Sequence, residues 1–447
     1  MRYLLVDVGS TYTKLNLLDT EKIEVIGSSQ SYTTVNSDVR VGFYKALEKL
    51  KAKCKLEYDE FLGCSSASGG LKVVVVGFSK NLTTYACKTA SLSSGARILK
   101  EYYYELTSKD LDEIENLKPD ILLLCGGTNG GNTYNIIFNA KAIAKKNYSF
   151  PVVCCGNESA NNCIRDIFDK SNIRYVFTEN VMPTTNVVNY IPLRKVIAEI
   201  FISTITKAKG IDALSKKCKI FLPTPIAVQN SISTYGKVND ISLLSIDIGG
   251  ATTDIHSIGK SYWGDENIIA PEIDEPYEKR TVEGDMGMRY SATALYESLG
   301  DQVFKNLGYT DAKKRCQERF DNTDFIPTDL EEEKFDQILG YLAAKTALSR
   351  HIGKLKKIPT STRYIYKQSG KDLRRAKEFL ATGGVLINSK NPSLILKSIN
   401  DLDDSYLKPE NPKFLLDKSY ILSSVGLISK FEPEKAVKFL KKYLKEI

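Results

Sequence analysis

The feature that most constrains this chain is a strand and turn written twice. Leu4-Leu5-Val6-Asp7-Val8-Gly9-Ser10-Thr11-Tyr12-Thr13-Lys14 near the start is answered by Leu244-Ser245-Ile246-Asp247-Ile248-Gly249-Gly250-Ala251-Thr252-Thr253-Asp254 past the midpoint. Each copy is an apolar strand that delivers an aspartate and then breaks into small and hydroxylated residues, where backbone N–H groups and hydroxyls lie open to an anion. Two such turns facing each other across a cleft would hold a nucleotide and its Mg²⁺. A chain of 447 residues exceeds one ordinary domain, and the repeat says where to divide it. The sequence predicts a first domain over residues 1–240, with a connecting helix and inserted segments, and a second over 241–447.

Between the copies the order is alternating α/β, which places ligand loops at strand ends. Strands are predicted at 2–8, 14–18, 23–27, 60–65 and 71–77, the last almost wholly β-branched and therefore central in a sheet. Helical spacing runs over 39–56 and 82–104. A strand ending at Cys125 stops at Gly126-Gly127-Thr128-Asn129-Gly130-Gly131-Asn132-Thr133, followed by a helix over 132–147 and a strand over 151–155. Helices are predicted at 192–209, 290–307, 311–320 and 331–353, and a helical subdomain about 283–375. A strand at 378–382 ends in Gly383-Gly384, which the spacing pairs with Gly126-Gly127 as a second sign of duplication.

Composition excludes more than it assigns. The excess of 62 Lys and Arg over 54 Asp and Glu is scattered along the chain and reads as a solvated surface, not a nucleic-acid footprint. Nine cysteines form no CxxC pair and read as buried thiols of a reducing compartment. The N-terminus enters a strand at once and no apolar run is long enough to span a bilayer, so a cytoplasmic protein with no membrane contact is expected. With only His256 and His351, a histidine-based metal site is ruled out. Neither GxxxxGK[ST] nor an opening GxGxxG is present, which sets aside the P-loop and dinucleotide folds.

The chemistry therefore rests on the two turns. Asp7 and Asp247 are the expected Mg²⁺ holders, since carboxylates beside polyphosphate need a cation between them. Gly9, Ser10, Thr11 and Thr13, with Gly249, Gly250, Ala251, Thr252 and Thr253, are the expected phosphate cradle. Lys14 would neutralise phosphate, whereas its counterpart Asp254 would orient water or metal. Asp7, Asp247 and Asp254 are thus the candidate catalytic groups. Gly383 and Gly384 would pass beneath base and sugar, and Glu283 would take a ribose hydroxyl, help position the metal, or serve as a helix N-terminal carboxylate.

These motifs resemble the actin, sugar-kinase and heat-shock-70 superfamily: Asp7-x-Gly-Ser-Thr-x-Thr-Lys14, Asp247-Ile-Gly-Gly-Ala-Thr-Thr-Asp254 and Thr382-Gly-Gly384. More narrowly, the chain resembles the glutamate mutase accessory family, called MutL and unrelated to the mismatch-repair protein of that name. The residues that carry this are Gly126-Gly-Thr-Asn-Gly-Gly131, Asp247 to Ser257, Arg280-Thr-Val-Glu-Gly-Asp-Met-Gly-Met-Arg289, Arg350-His-Ile-Gly353 and Gly370-Lys-Asp-Leu373. Asn129 and Asn132 stand where acidic residues are expected. The resemblance implies duplicated ribonuclease-H-like (actin-like ATPase) domains and a slow Mg²⁺-dependent ATPase. Its implied role is a reactivating chaperone that exchanges damaged cobalamin in an adenosylcobalamin-dependent mutase, glutamate mutase being the natural partner. It leaves room for a homodimer. No cobalamin lower-ligand motif D-x-H-x-x-G of the chain's own is expected, which fits a factor acting on the enzyme. The alternatives are a small-molecule kinase of the same fold and, more remotely, a filament-forming ATPase.

Overall fold

The computed structural model describes residues 1–447 except 10, 35–36, 67–70, 206–208, 265–266 and 362. The chain divides into two compact units, Met1–Asn230 with Ser423–Lys435, and Ser231–Leu422 with Ala436–Ile447. The division falls ten residues before the expected 240/241 boundary, and a short C-terminal segment returns to the first unit.

In the first unit, β1 (Arg2–Val8) and β2 (Tyr12–Asp19) form an antiparallel hairpin that sets Asp7 opposite Lys14. β3 (Glu24–Tyr32) extends the hairpin. Asp38 caps α1 (Val39–Lys51) by accepting from the Arg40 amide, and Val39, Phe43, Ala46 and Leu50 form the helix's buried stripe. β4 (Glu60–Ser65) then runs parallel to β1.

An inserted α/β module follows, made of β5 (Leu71–Gly77), α2 (Thr83–Ser93), β6 (Ala96–Tyr103), α3 (Ser108–Leu117), β7 (Ile121–Leu124), α4 (Tyr134–Ala144), β8 (Val152–Cys154), α5 (Asn161–Phe168) and β9 (Tyr175–Phe177). Its five strands are all parallel in the order β6-β5-β7-β8-β9, the doubly wound order in which the first strand lies between the second and third. Val74, Val76, Leu122, Leu124 and Val152 face α3, α4 and α5 in one core. Val73, Val75, Leu123 and Val153 point the other way by strand alternation, toward the face that carries α2, with α6 (Tyr190–Ile205) packed on it. The short α7 (Ile211–Ser215) leads to β10 (Ile220–Pro223), which completes the first sheet beside β4, and α8 (Thr224–Asn239) leads out of the unit.

The expected helix over 82–104 is not formed: α2 ends at Ser93, Gly95 reverses the chain at φ +87°, and 96–103 pairs with β5 as a strand. Pairing along the edge of β5 overrides the local helical pattern.

The second unit opens with the hairpin of β11 (Leu243–Ile248) and β12 (Thr253–Ile258), which sets Asp247 opposite Asp254. β13 (Ile268–Ile269) precedes β14 (Glu278–Glu283), which pairs with β12. The helices are α9 (Ala292–Leu299), α10 (Asp301–Asn306), α11 (Ala312–Asp321) and α12 (Leu330–His351). Gly300, at φ +81°, splits the expected helix 290–307 into the first two. β15 (Lys354–Pro359) and β16 (Tyr364–Ser369) form a hairpin joined by β13. After it come β17 (Glu378–Thr382), parallel to β11, then α13 (Gly384–Asn388), α14 (Pro392–Leu396) and β18 (Lys413–Leu416). α15 (Leu422–Ile428) lies in the first unit except for its first residue, α16 (Pro433–Tyr443) belongs to the second from Ala436 on, and β19 (Lys445–Glu446) ends the second sheet.

The duplication is visible in topology. The first sheet reads β10-β4-β1-β2-β3, and the second reads β18-β17-β11-β12-β14, with β19 added outside β18. This is the duplicated ribonuclease-H-like, actin-like arrangement. It also corrects one expected match. The counterpart of β17 and its Gly383-Gly384 is β4, ending at Ser65, because each lies parallel beside the aspartate strand. Gly126-Gly127 belongs to the inserted sheet and has no equivalent among the described residues of the second unit. Among the described residues no helix is long and apolar enough to cross a membrane.

Candidate nucleotide site

Each aspartate hairpin closes by the same bond. Gly9 N donates to Tyr12 O at 3.0 Å and Gly249 N donates to Thr252 O at 2.9 Å. A side chain at Gly9 would meet Tyr12 O at 2.7 Å, so the tight turn requires glycine.

In the first unit Asp7 stands half-buried at the end of β1. Its carboxylate accepts from Thr224 Oγ1 at 2.7 Å and from Ser423 Oγ at 2.9 Å. Thr224 opens α8 and Ser423 sits on α15, so two distant helices fix the orientation of the carboxylate. Lys14 lies across the hairpin, also half-buried. Beside Asp7 in register is Cys64, whose thiol is pushed well up by burial and by the Asp7 charge and so stays protonated. Thr13 is fully buried and its hydroxyl shares a 2.9 Å hydrogen bond with Thr33; it locks the turn and presents no hydroxyl to solvent. Thr11 accepts from the Thr33 amide through its carbonyl. Ser10 lies outside the described residues.

In the second unit the turn is gripped from one side by the segment after β14. Met288 N donates to Gly249 O at 3.0 Å, Arg289 N to Gly250 O at 2.8 Å, and Ser291 Oγ to Ala251 O at 2.7 Å. In a trans peptide the C=O and the following N–H point in opposite directions, so the gripped carbonyls turn the next amides away from that segment. The amides of Gly250 and Ala251 donate to no group among the described residues, the state expected of an anion cradle. Thr253 is buried with its hydroxyl on Met286 O, whereas Thr252 Oγ1 donates to Asp254 Oδ2 at 3.0 Å.

Asp247 and Asp254 face each other across the hairpin, and Arg280 answers the charge. Its Nε and Nη2 donate to Asp254 Oδ1 at 3.0 and 2.6 Å from a buried position. Asp254 is therefore held in an ion pair, and Asp247 stands at the register position beside Thr382. Gly383 has φ +108°, and a side chain there would meet Ile248 O at 2.3 Å, which presses this glycine against the end of β11. Gly384 faces open space. Glu283 is drawn to Arg350 at 2.6 Å, and the same guanidinium holds Asp285 at 2.7 and 2.9 Å.

Sequence reasoning assigned no role to Arg280, Arg350, Thr224 or Ser423. The arginines lie inside the quoted signature strings, and those strings converge here. His351 Nδ1 meets Thr281 Oγ1 at 2.9 Å and its Nε2 meets Ser257 Oγ at 2.8 Å. Gly353 packs on the Gly370 and Lys371 backbone. Lys371 Nζ, fully buried, donates to Pro276 O at 2.9 Å and Tyr277 O at 2.7 Å. The expected absence of D-x-H-x-x-G is wrong as a statement about the sequence: Asp254-Ile255-His256-Ser257-Ile258-Gly259 spells it, the pattern of a cobalamin lower ligand. Here it forms strand β12, with Asp254 on Arg280 and His256 buried and held neutral by desolvation. A cobalt ligand has to reach open space, and this histidine does not.

A family model described as "MutL protein" matches residues 3–444. "Protein MutL" of Clostridium tetanomorphum is 41% identical over 459 residues, covering 100% of this chain and 99% of that one. Among solved structures, nucleotide-free acetone carboxylase aligns at TM-score 0.41 and 10% identity, over 96% of this chain and 70% of that one. The activator of 2-hydroxyisocaproyl-CoA dehydratase from Clostridium difficile with bound ADPNP aligns at TM-score 0.32 and 12% identity, over 100% and 99%. The end-to-end match in sequence, laid over the same strings that build the aspartate hairpins, places the chain in the MutL protein family.

Proposed function

We propose that the protein is an ATP-dependent reactivating chaperone that exchanges damaged cobalamin in an adenosylcobalamin-dependent mutase, with glutamate mutase as its partner. The observation that supports nucleotide use is the aspartate hairpin built twice with the same closing bond. Each unit by itself offers groups of the kind Mg·ATP uses: a lysine opposite Asp7 in the first, and open amides at Gly250 and Ala251 with a glycine at 383 in the second. Among the described residues no group of three or more His, Cys, Asp or Glu side chains forms a metal cage. A Mg²⁺ ion held by few carboxylates takes its remaining ligands from phosphate and water, and Asp7 and Asp247 are the carboxylates proposed for it.

The bound nucleotide would supply the free energy that separates two states of the chaperone. The chain's own residues would orient the phosphates through the turn amides, balance their charge at Lys14, and position water through Asp247 and the Arg280-held Asp254. A chaperone cycle needs the ATP state to persist until the partner is engaged, and binding can shift a conformation only by its difference in affinity for the two states. Phosphate release is therefore expected to be slow alone and faster with the mutase. The test is release measured with and without purified glutamate mutase. Rapid turnover with a small molecule that becomes phosphorylated would establish the kinase instead.

A further inference from the structure

The inserted module carries a second polar site that the proposed ATPase chemistry does not use. Its strand order reverses between β5 and β7: the connection from β5 leaves toward β6, and the connection from β7 leaves toward β8. In open parallel sheets of this kind, ligands bind at the carboxyl ends of the strands where the order reverses. The glycine-rich loop 126–133 stands at that point, and a side chain at Gly126 would touch Phe78 after β5 at 3.3 Å.

Two independent features mark the spot as built for a ligand. The first is the loop's hydrogen bonding. Gly126 O accepts from Asn157 N at 3.0 Å and Gly127 O accepts from Asn180 Nδ2 at 3.0 Å. The Gly127 and Thr128 amides, antiparallel to those carbonyls, point away from Asn157 and Asn180 and donate to no group among the described residues. This is the device seen at Gly250 and Ala251. The second feature lies on α4. Asn139 bonds Leu106 N at 2.9 Å and Tyr104 O at 2.7 Å, so its stripe of α4 faces the ends of β5 and β6. Asn135 is one turn earlier on that stripe, at the end of α4 where the loop enters. It is only 4% exposed, and its Oδ1 has no partner. A buried acceptor left without a donor is destabilising, and a ligand's N–H or O–H would relieve it. Phe78, just after β5, and Tyr104, just after β6, form an edge-on aromatic pair at these strand ends, and Lys80 is exposed, over the Tyr103 ring.

We infer that this crevice binds a phosphate ester of the nucleotide class, with phosphate on the Gly127 and Thr128 amides, a hydrogen-bond donor of the ligand on Asn135, and its ring beside Phe78. The test uses the full chain carrying Asp7→Asn and Asp247→Asn, which remove the carboxylates proposed for Mg·ATP. Calorimetric titration with ADP, FMN, hydroxocobalamin and inorganic phosphate identifies the source of the phosphate. At least one ester is expected to bind at one site per chain. Adding Asn135→Leu is expected to weaken it tenfold or more without lowering Tm, since a purely structural asparagine would lower Tm on replacement. If that variant fails to fold, Lys80→Glu, at an exposed position, is the replacement arm, again with tenfold weakening expected. The assignment is overturned if no ester binds at millimolar concentration, or if binding is unchanged by the folded variant.

Discussion

At the scale of single residues, the second half-site is an electrostatic balance around one guanidinium. Arg280 is buried and holds Asp254, and removing one partner of such a pair leaves an uncompensated charge. Arg280→Met is expected to cost about 3–5 kcal/mol in denaturant unfolding, with Arg280→Lys intermediate because it keeps the charge but not the fork. Lys371 gives a pH signature. Burial lowers its pKa from the ordinary lysine value to about 7, so between pH 7 and the unfolded value the unfolded chain holds a proton that the folded chain has lost. Stability therefore rises with pH across that window, and the penalty is fully present below it. Wild type minus Lys371→Met, followed by unfolding from pH 6 to 10, should show that rise; parallel curves would contradict it. Asp7 and Asp247 were legible in the sequence because the repeat printed them twice. Thr224, Ser423 and Arg280 were not, because hydrogen bonds that orient a carboxylate come from elements far along the chain and leave no local spacing to read.

At the scale of elements, hydrophobic pattern located the aspartate strands, the central β5 and the long α12, each of which expresses its period without competition. It failed at 96–103, where a run with helical spacing becomes the edge strand β6 because an open β5 edge offers backbone partners. It also paired Gly126-Gly127 with Gly383-Gly384, since distance along the chain does not reveal that an insertion has displaced the true counterpart at Ser65. The glycine at 383 carries its own test. With φ +108° and Ile248 O only 2.3 Å from an added Cβ, Gly383→Ala must move β17 or β11. A loss of roughly 1–3 kcal/mol is expected, together with weaker Mg·ATP binding, whereas Gly384→Ala, facing open space, should leave stability within about 0.5 kcal/mol. Equal effects from the two variants would contradict the reading.

At the scale of the whole molecule, two units with one strand order have diverged in what they offer, a lysine opposite the aspartate in the first and an arginine-clamped aspartate in the second. Nucleotide binding is accordingly expected to depend on both. Asp7→Asn and Asp247→Asn should each weaken Mg·ATP binding by calorimetry, and wild-type affinity in either would remove that residue from the site. The central claim is reactivation, and it is tested most directly by recovery of turnover. Glutamate mutase is inactivated with cyanocobalamin, then given fresh adenosylcobalamin, Mg·ATP and this protein. Activity is expected to return, and to fail with Asp247→Asn in place of wild type. No recovery with glutamate mutase from the same organism, under conditions where ATP is shown to bind, would contradict the reactivating role.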